Sequence, residues 1–281
     1  MFLALPGDFM HGTAASAQQD TQARLVQLKA GEPGPAVFIV PGFGGSIDRL
    51  TALGALLSTP MPVFAVEGRG IDGSAVPDMV VEVMAEHYQE MIFLRDRAGP
   101  YFLVGHSFGG LVALEMARRI VQGGGKIACL ILLDSNFAES HWPRAYYLSD
   151  VKARVRRRRA EFLATPFWQR PKYVADAWRK LRRRLSGRNA SATGLNATQA
   201  HEFAFARFDP GTYAGRLHFF RAALRDYPAD PEALWRHRVH DLDIHTVPGG
   251  HLTMLEPPNV SVLAAEISPI LARAGQEERL F

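Results

Sequence analysis

"YFLVGHSFGGLVAL", residues 101–114, passes from an apolar strand through a glycine-flanked serine into an apolar helix. Gly105-His106-Ser107-Phe108-Gly109 matches the G-x-S-x-G turn, in which a sharp strand-to-helix reversal lifts the serine oxygen above the sheet edge. Gly105 and Gly109 remove the side-chain volume that such a close approach forbids. Ser107 also opens a helix, where free N–H groups and the macrodipole favour an oxyanion. An ordinary N-cap serine would need neither the flanking strand nor the paired glycines, so Ser107 is the candidate nucleophile.

Working outward, short β-branched or aromatic runs alternate with helical patterns, as in a parallel sheet with crossover helices. Strands are expected at 23–28, 36–40, 63–66, 101–104, 127–133, 216–222 and 242–247, and helices at 46–58 and 77–97. Pro77 suits the start of the second helix, and Val80, Met84, Tyr88, Met91 and Ile92 keep helical spacing along it. The glycines at 123–125 end the helix after Ser107, and a last helix follows "EPPN" (256–259). Residues 136–213 are basic and aromatic without strand alternation, and read as a helical lid insertion with a soft middle at 186–199. Residues 1–20 read as a poorly ordered lead-in, and 21–281 as one α/β domain.

Composition narrows the function. Cys129 is the single cysteine, which excludes an intrachain disulfide and a cysteine-based zinc site, and its place in "IACLILLD" makes it core filler. No apolar stretch approaches the length of a membrane span. The N-terminal apolar run breaks at Pro6 with no Lys or Arg before it, so a secretory signal is not expected and the chain reads as soluble and cytoplasmic. The formal charge of +4 is concentrated between Arg144 and Arg188, where only Asp150, Glu161 and Asp176 oppose "RVRRRR" (154–159), "RKLRRRLSGR" (179–188) and further basic residues.

A serine needs a base, and the base needs an orienting acid. The turn's usual chain order of serine, acid, histidine confines both to residues after 107. His251 lies in "VPGGHLTML", a glycine loop after a strand that can turn an imidazole back over the sheet edge. His245 lies within a strand, and His237 and His240 in or beside the helix "EALWRHRVH". Two carboxylates compete for the acid. Asp134 ends the strand after the serine's helix, and a right-handed crossover makes that strand parallel to the serine's, about 4.8 Å away when adjacent. Asp226, after "LHFFRAALRD", ends the next strand and is the alternative. Asp241, Asp243 and His245 alternate along "HDLDIH", a pattern that a solvated strand face explains as well as a metal would.

"RLVQLKAGEPGPAVFIVPGFGGS" (24–46), "VEVMAEHYQEMIFLRDRAGPYFLVGHSFGGLVALEMA" (81–117), "LILLD" (130–134) and "ALWRH…VPGGHLTML" (233–255) resemble the thioesterase domains of nonribosomal peptide and polyketide synthases. The resemblance covers most of the chain outside the insertion and implies an α/β-hydrolase fold, a mostly parallel sheet with helices on both faces and a helical lid. It places the acid at Asp134, so that Ser107, Asp134 and His251 map onto the triad. It also places oxyanion donors at the backbone N–H groups of Phe43 and Phe108. Here the chain departs from the family, having Pro41-Gly42-Phe43 where a His-Pro pair commonly precedes the double glycine.

The resemblance implies release of an acyl, polyketide or peptidyl chain from a carrier protein's phosphopantetheine thioester, with no cofactor or metal. An acidic, phosphate-bearing carrier suits the basic lid, whose candidate docking residues are Arg156, Arg157, Arg158, Arg159, Arg182, Arg183 and Arg184. A solvated helix face is the plainer reading of those arginines. Trp142, Phe162, Phe167, Trp168, Tyr173 and Trp178 either line an acyl channel or pack the lid on the body. A carboxylesterase or lipase using the same triad, and a non-catalytic module that binds a carrier or a polyanion, remain the alternatives. Nucleic acid is not expected, since it would leave the triad without a purpose. The starting Met and short lead-in favour a separate polypeptide over an excised synthase domain.

Overall fold

The central apolar runs become strands because each alternates between two buried faces. The computed structural model describes residues 23–172, 174–175, 178–179, 195–224 and 230–279. Its strands are β1 (Arg24–Lys29), β2 (Val37–Val40), β3 (Val63–Glu67), β4 (Tyr101–His106), β5 (Ile127–Leu133), β6 (Tyr213–Leu224) and β7 (Val239–Gly250). They form one sheet in the order β1-β3-β2-β4-β5-β6-β7. Only β1 pairs antiparallel; every other ladder is parallel. This is the α/β-hydrolase arrangement.

The described helices are α1 (Thr51–Leu56), α2 (Val81–Arg95), α3 (Phe108–Gln122), α4 (Arg144–Ala164), α5 (Ala197–Arg207), α6 (Pro231–Trp235) and α7 (Asn259–Arg279). β2 and β4 are buried along their whole length, as central parallel strands covered on both faces must be. Phe38, Val40 and Leu103 join Met84 and Tyr88 of α2 and Leu111 of α3 in one core layer. Val37, Ile39 and Val104 join Leu53 of α1 and Leu263 and Ile267 of α7 in the other. The two-residue period thus divides each strand between the layers. Cys129 sits in the second layer, and burial pushes its thiol up to about 12, far from a reactive thiolate.

Several boundaries differ from the sequence reading. The helix expected from Pro77 begins at Val81, after an extended Val80 that is exposed. Asp78 binds His87 at 2.8 Å, and Pro77 covers the Gly70 turn, so both residues are held off the helix. The helix expected over 46–58 is a 3₁₀ turn at Asp48–Leu50 followed by α1. β6 starts at Tyr213, inside the range assigned to the insertion. Its long ladder with β7 carries that strand from Val239 to Gly250, so His240 is a strand residue and Gly250, directly before His251, still pairs with Leu224. Within the insertion, residues 186–194 lie outside the described residues. Asn196 and Gln199 form a reciprocal capping box that starts α5, where a soft segment was expected. Among the described residues, no helix is long and apolar enough to cross a membrane.

Candidate active site

Parallel pairing assembles the site at one sheet edge. His106 of β4 pairs with Leu133 of β5, so Ser107 and Asp134 leave neighbouring strand ends side by side. Leu133 pairs with Phe220 of β6, which lies beside the strand that delivers His251. Ser107 has φ 55° and ψ −122°, and Asp134 has φ 49°. They are the only non-glycine residues with positive φ among those described. Such strain persists only where the surroundings over-determine it. Here the Ser107 N–H donates to Leu133 O at 2.9 Å, and the Asp134 N–H to Phe220 O at 2.7 Å.

The glycines are steric necessities. A Cβ on Gly105 would lie 2.4 Å from Gly110 Cα, and one on Gly109 would lie 2.2 Å from Pro41 O. The second contact packs the end of β2 against the start of α3 and brings the loop 41–45 to the serine. A Cβ on Gly42 would touch the Ser107 Cβ at 3.3 Å.

Ser107 Oγ lies 2.8 Å from His251 Nε2, and His251 Nδ1 lies 2.7 Å from Asp134 Oδ2. Asp134 is buried, and its Oδ1 accepts the Ala222 N–H at 3.3 Å. An ionised carboxylate only accepts, so the Nδ1–H of His251 faces Asp134 and the Nε2 lone pair faces the Ser107 hydroxyl. That is the tautomer a general base requires. Asp226, the alternative acid, lies outside the described residues.

His106 has a larger part than its neighbouring position suggested. It is buried, and desolvation pulls its imidazole down to about 4, so it is neutral. Its Nε2–H donates to the His251 backbone carbonyl at 3.0 Å, and the two rings lie 5.2 Å apart. Phe43 and Phe108 flank the serine turn with their rings stacked at 5.0 Å. Among the described residues, no hydrogen bond engages the backbone N–H of either. α5 covers this pair: Phe205 meets the Phe43 ring edge-on at 5.7 Å, and His201 stacks on Phe108 at 5.0 Å. His201 is also buried and pulled down to about 4, and its Nδ1 has no hydrogen-bond partner among the described residues.

Two cavities meet at Ser107 and His251. One, of about 270 Å³, has walls that include Phe108, Phe137, Trp142 and Phe205, and contains Glu139, Asp150 and Arg154. The other, of about 860 Å³, runs past Gly42, Ser46, Arg49, Leu252 and Glu256. Of the aromatic residues singled out in the insertion, Trp142 lines the first cavity, whereas Phe167, Trp168 and Trp178 are exposed; Tyr173 lies outside the described residues. Phe162 carries the Arg170 guanidinium over its ring at 5.1 Å. Arg156, Arg157, Arg158 and Arg159 are exposed on α4, while Arg182, Arg183 and Arg184 lie outside the described residues. Arg154, in the same basic run, turns inward instead. On "HDLDIH", Asp241 takes the Arg216 guanidinium at 2.7 Å, and among the described residues no metal-binding group of three His, Cys, Asp or Glu forms.

Sequence reasoning missed the Glu139, Asp150 and Arg154 group. Spacing alone did not single it out, since Asp150 and Glu161 each lie four residues from an arginine of the same helix.

Comparison with known proteins supplies the remaining context. The family model named "Thioesterase domain" matches residues 35–271. The chain is 25% identical over 264 residues to malpibaldin synthetase of Mortierella alpina, covering 92% of this chain and 4% of that protein. It is 30% identical over 146 residues to indigoidine synthase of Dickeya dadantii, covering 52% of this chain and 9% of the relative. It thus spans less than a tenth of either. Among solved structures, the NocB thioesterase domain in covalent complex with a fluorophosphonate nocardicin G analogue superposes with a TM-score of 0.61 at 24% identity, covering 88% of this chain and 99% of that one. The RedJ thioesterase of Streptomyces coelicolor gives 0.57 at 22%, covering 85% and 95%.

Proposed function

The chain belongs to the thioesterase domain family, and on that premise we propose that it releases an acyl, polyketide or peptidyl chain from a carrier protein's phosphopantetheine thioester through an acyl-enzyme on Ser107. The observation that carries the reading is the unbroken relay from Ser107 Oγ through His251 to the buried Asp134. His251 Nε2 takes the hydroxyl proton as Oγ adds to the thioester carbonyl. Asp134 holds the imidazole in place and stabilises its charged form. The oxyanion forms beside the free N–H groups of Phe43 and Phe108, each such donor being worth about 3 kcal/mol in the transition state. Collapse breaks the C–S bond, and the imidazolium gives its proton to the departing thiolate, which leaves as the thiol. Water, or a nucleophile within the chain, then repeats the sequence in reverse and frees Ser107. No step uses a cofactor or metal.

The two cavities divide the substrate. Ser107 and His251 line both cavities, and the aromatic walls of the smaller one suit an apolar chain, which leaves the larger cleft past Ser46, Arg49 and Glu256 to the thiol side. The acyl chain then occupies the smaller, aromatic-walled cavity beneath the insertion, which acts as a lid. The exposed arginines 156–159 offer an acidic carrier a cationic face.

The test pairs chemistry with labelling. Fluorophosphonate should label the native protein and not Ser107→Ala, and an acyl-loaded carrier should be cleaved much faster than a matched oxygen ester. Replacing arginines 156–159 by glutamate should weaken carrier capture and flatten its salt dependence while sparing small acyl-pantetheine thioesters. Labelling that survives in Ser107→Ala removes the mechanism, and preference for the oxygen ester replaces it with an esterase.

A further inference from the structure

The aromatic cavity ends in a polar pole that the release reaction does not use. α4 buries one side chain, and it is the carboxylate of Asp150. That side chain is 5% exposed and ion-paired with Arg154, yet its Oδ2 receives no aligned hydrogen bond among the described residues. Arg154 is shared: its Nη1 and Nη2 donate to the two Glu139 carboxylate oxygens at 2.9 and 3.0 Å. One guanidinium therefore faces two carboxylates, and the pole carries a net charge of −1. Asn136 also lines the cavity, and its buried Oδ1 likewise has no hydrogen-bond partner among the described residues. One donor, the Arg154 Nε–H, is similarly unmatched. Surplus acceptors and surplus negative charge both call for a cationic donor. This polarity is opposite to that of the outer face of the same helix, where Arg156–Arg159 stand in solvent.

We propose that the acyl chain accepted by this cavity carries an ammonium group, seated between Asp150 and Glu139 at the end of an apolar segment packed on Phe137, Trp142 and Phe205. The inference rests on the release reading for where the acyl chain lies. It is independent of turnover, because affinity can be read on a protein that cannot react. An anionic chain end would meet two carboxylates, and a purely apolar one would leave the surplus negative charge and the Asn136 Oδ1 uncompensated.

The experiment uses the full chain carrying Ser107→Ala and four S-acyl pantetheines of equal length, ending in ammonium, hydroxyl, methyl or carboxylate. Dissociation constants from calorimetry should place the ammonium compound at least about tenfold tighter than the methyl and hydroxyl compounds, with carboxylate weakest. Adding Asp150→Asn should bring ammonium and methyl to within about twofold of each other, with methyl affinity unchanged. Glu139→Gln, at the rim, should lower the preference by a smaller factor, and thermal melts show that each variant folds. Equal affinity for ammonium and methyl, tighter binding of carboxylate, or a preference that survives both substitutions would overturn the proposal. Turnover of the methyl compound by the native protein is scored separately. Its absence counts against thioester release, while the affinity series still decides the charge of the chain.

Discussion

Acid should unfold this protein through histidines that the folded state keeps uncharged, and His201 allows the effect to be isolated. Desolvation pulls His106, His201 and His218 from an ordinary 6.5 to about 4. The unfolded chain then binds protons near pH 6.5 that the native chain refuses, so stability falls as pH drops below about 6.5 and levels off below about 4. Above pH 7 both states are neutral and the term vanishes. At pH 5 each such imidazole costs about 2 kcal/mol, so that the three together cost about 6 kcal/mol, a large share of the roughly 5–15 kcal/mol typical of a folded domain. His201→Phe keeps an aromatic ring against Phe108 and removes one titrating group. Urea unfolding of the native protein and the variant, followed by tryptophan fluorescence at pH 7.5, 6 and 5, measures both curves. The gap between them should move by about 2 kcal/mol in the variant's favour from pH 7.5 to pH 5. Parallel curves would refute the argument, since the imidazole would then be accepting its proton in the folded state.

Two further outcomes follow from the site. Asp134→Asn keeps the side-chain shape but lets an amide N–H face His251, so kcat should fall by about 10³–10⁴ with the melting temperature little changed; steady-state kinetics on an acyl-pantetheine thioester check this, and near-native kcat would return Asp226 to consideration. Gly109→Ala drives a Cβ to within 2.2 Å of Pro41 O, a backbone atom that cannot swing aside. It should cost at least about 2 kcal/mol and most of the activity, read by thermal melting and fluorophosphonate labelling.

What the sequence revealed here was what short-range constraints encode. Gly105, Gly109 and Gly110 are spaced for a turn that no larger residue survives, and Asp134 follows its apolar run without a gap, so strand register alone sets it beside Ser107. His251 was legible for a related reason, since a glycine pair must precede an imidazole that folds back on the sheet. The true start of α2 was not legible, because Asp78 and Pro77 are held by His87 and by the Gly70 turn rather than by local helix preference. The length of β7 depends on its ladder with β6. The pole formed by Glu139, Asp150 and Arg154 exists only once α4 lies over the sheet edge, and no spacing rule shows which of many arginines turns inward.

The stretch that follows β5 ties reactivity and selectivity to one piece of chain. Asp134 bonds the His251 imidazole, Ser135 O accepts the Trp235 indole N–H at 3.1 Å, and Phe137, which packs edge-on against that indole at 5.1 Å, already lines the aromatic cavity. The clamp from Trp235 ends there. Beyond it, the insertion is a cassette: a graft spliced between Pro143 and Asn196, short of the helix that rests on Phe43 and Phe108, would exchange the far wall and leave the serine turn undisturbed, whereas one spliced at Asn136 would shift Asp134 together with the cavity.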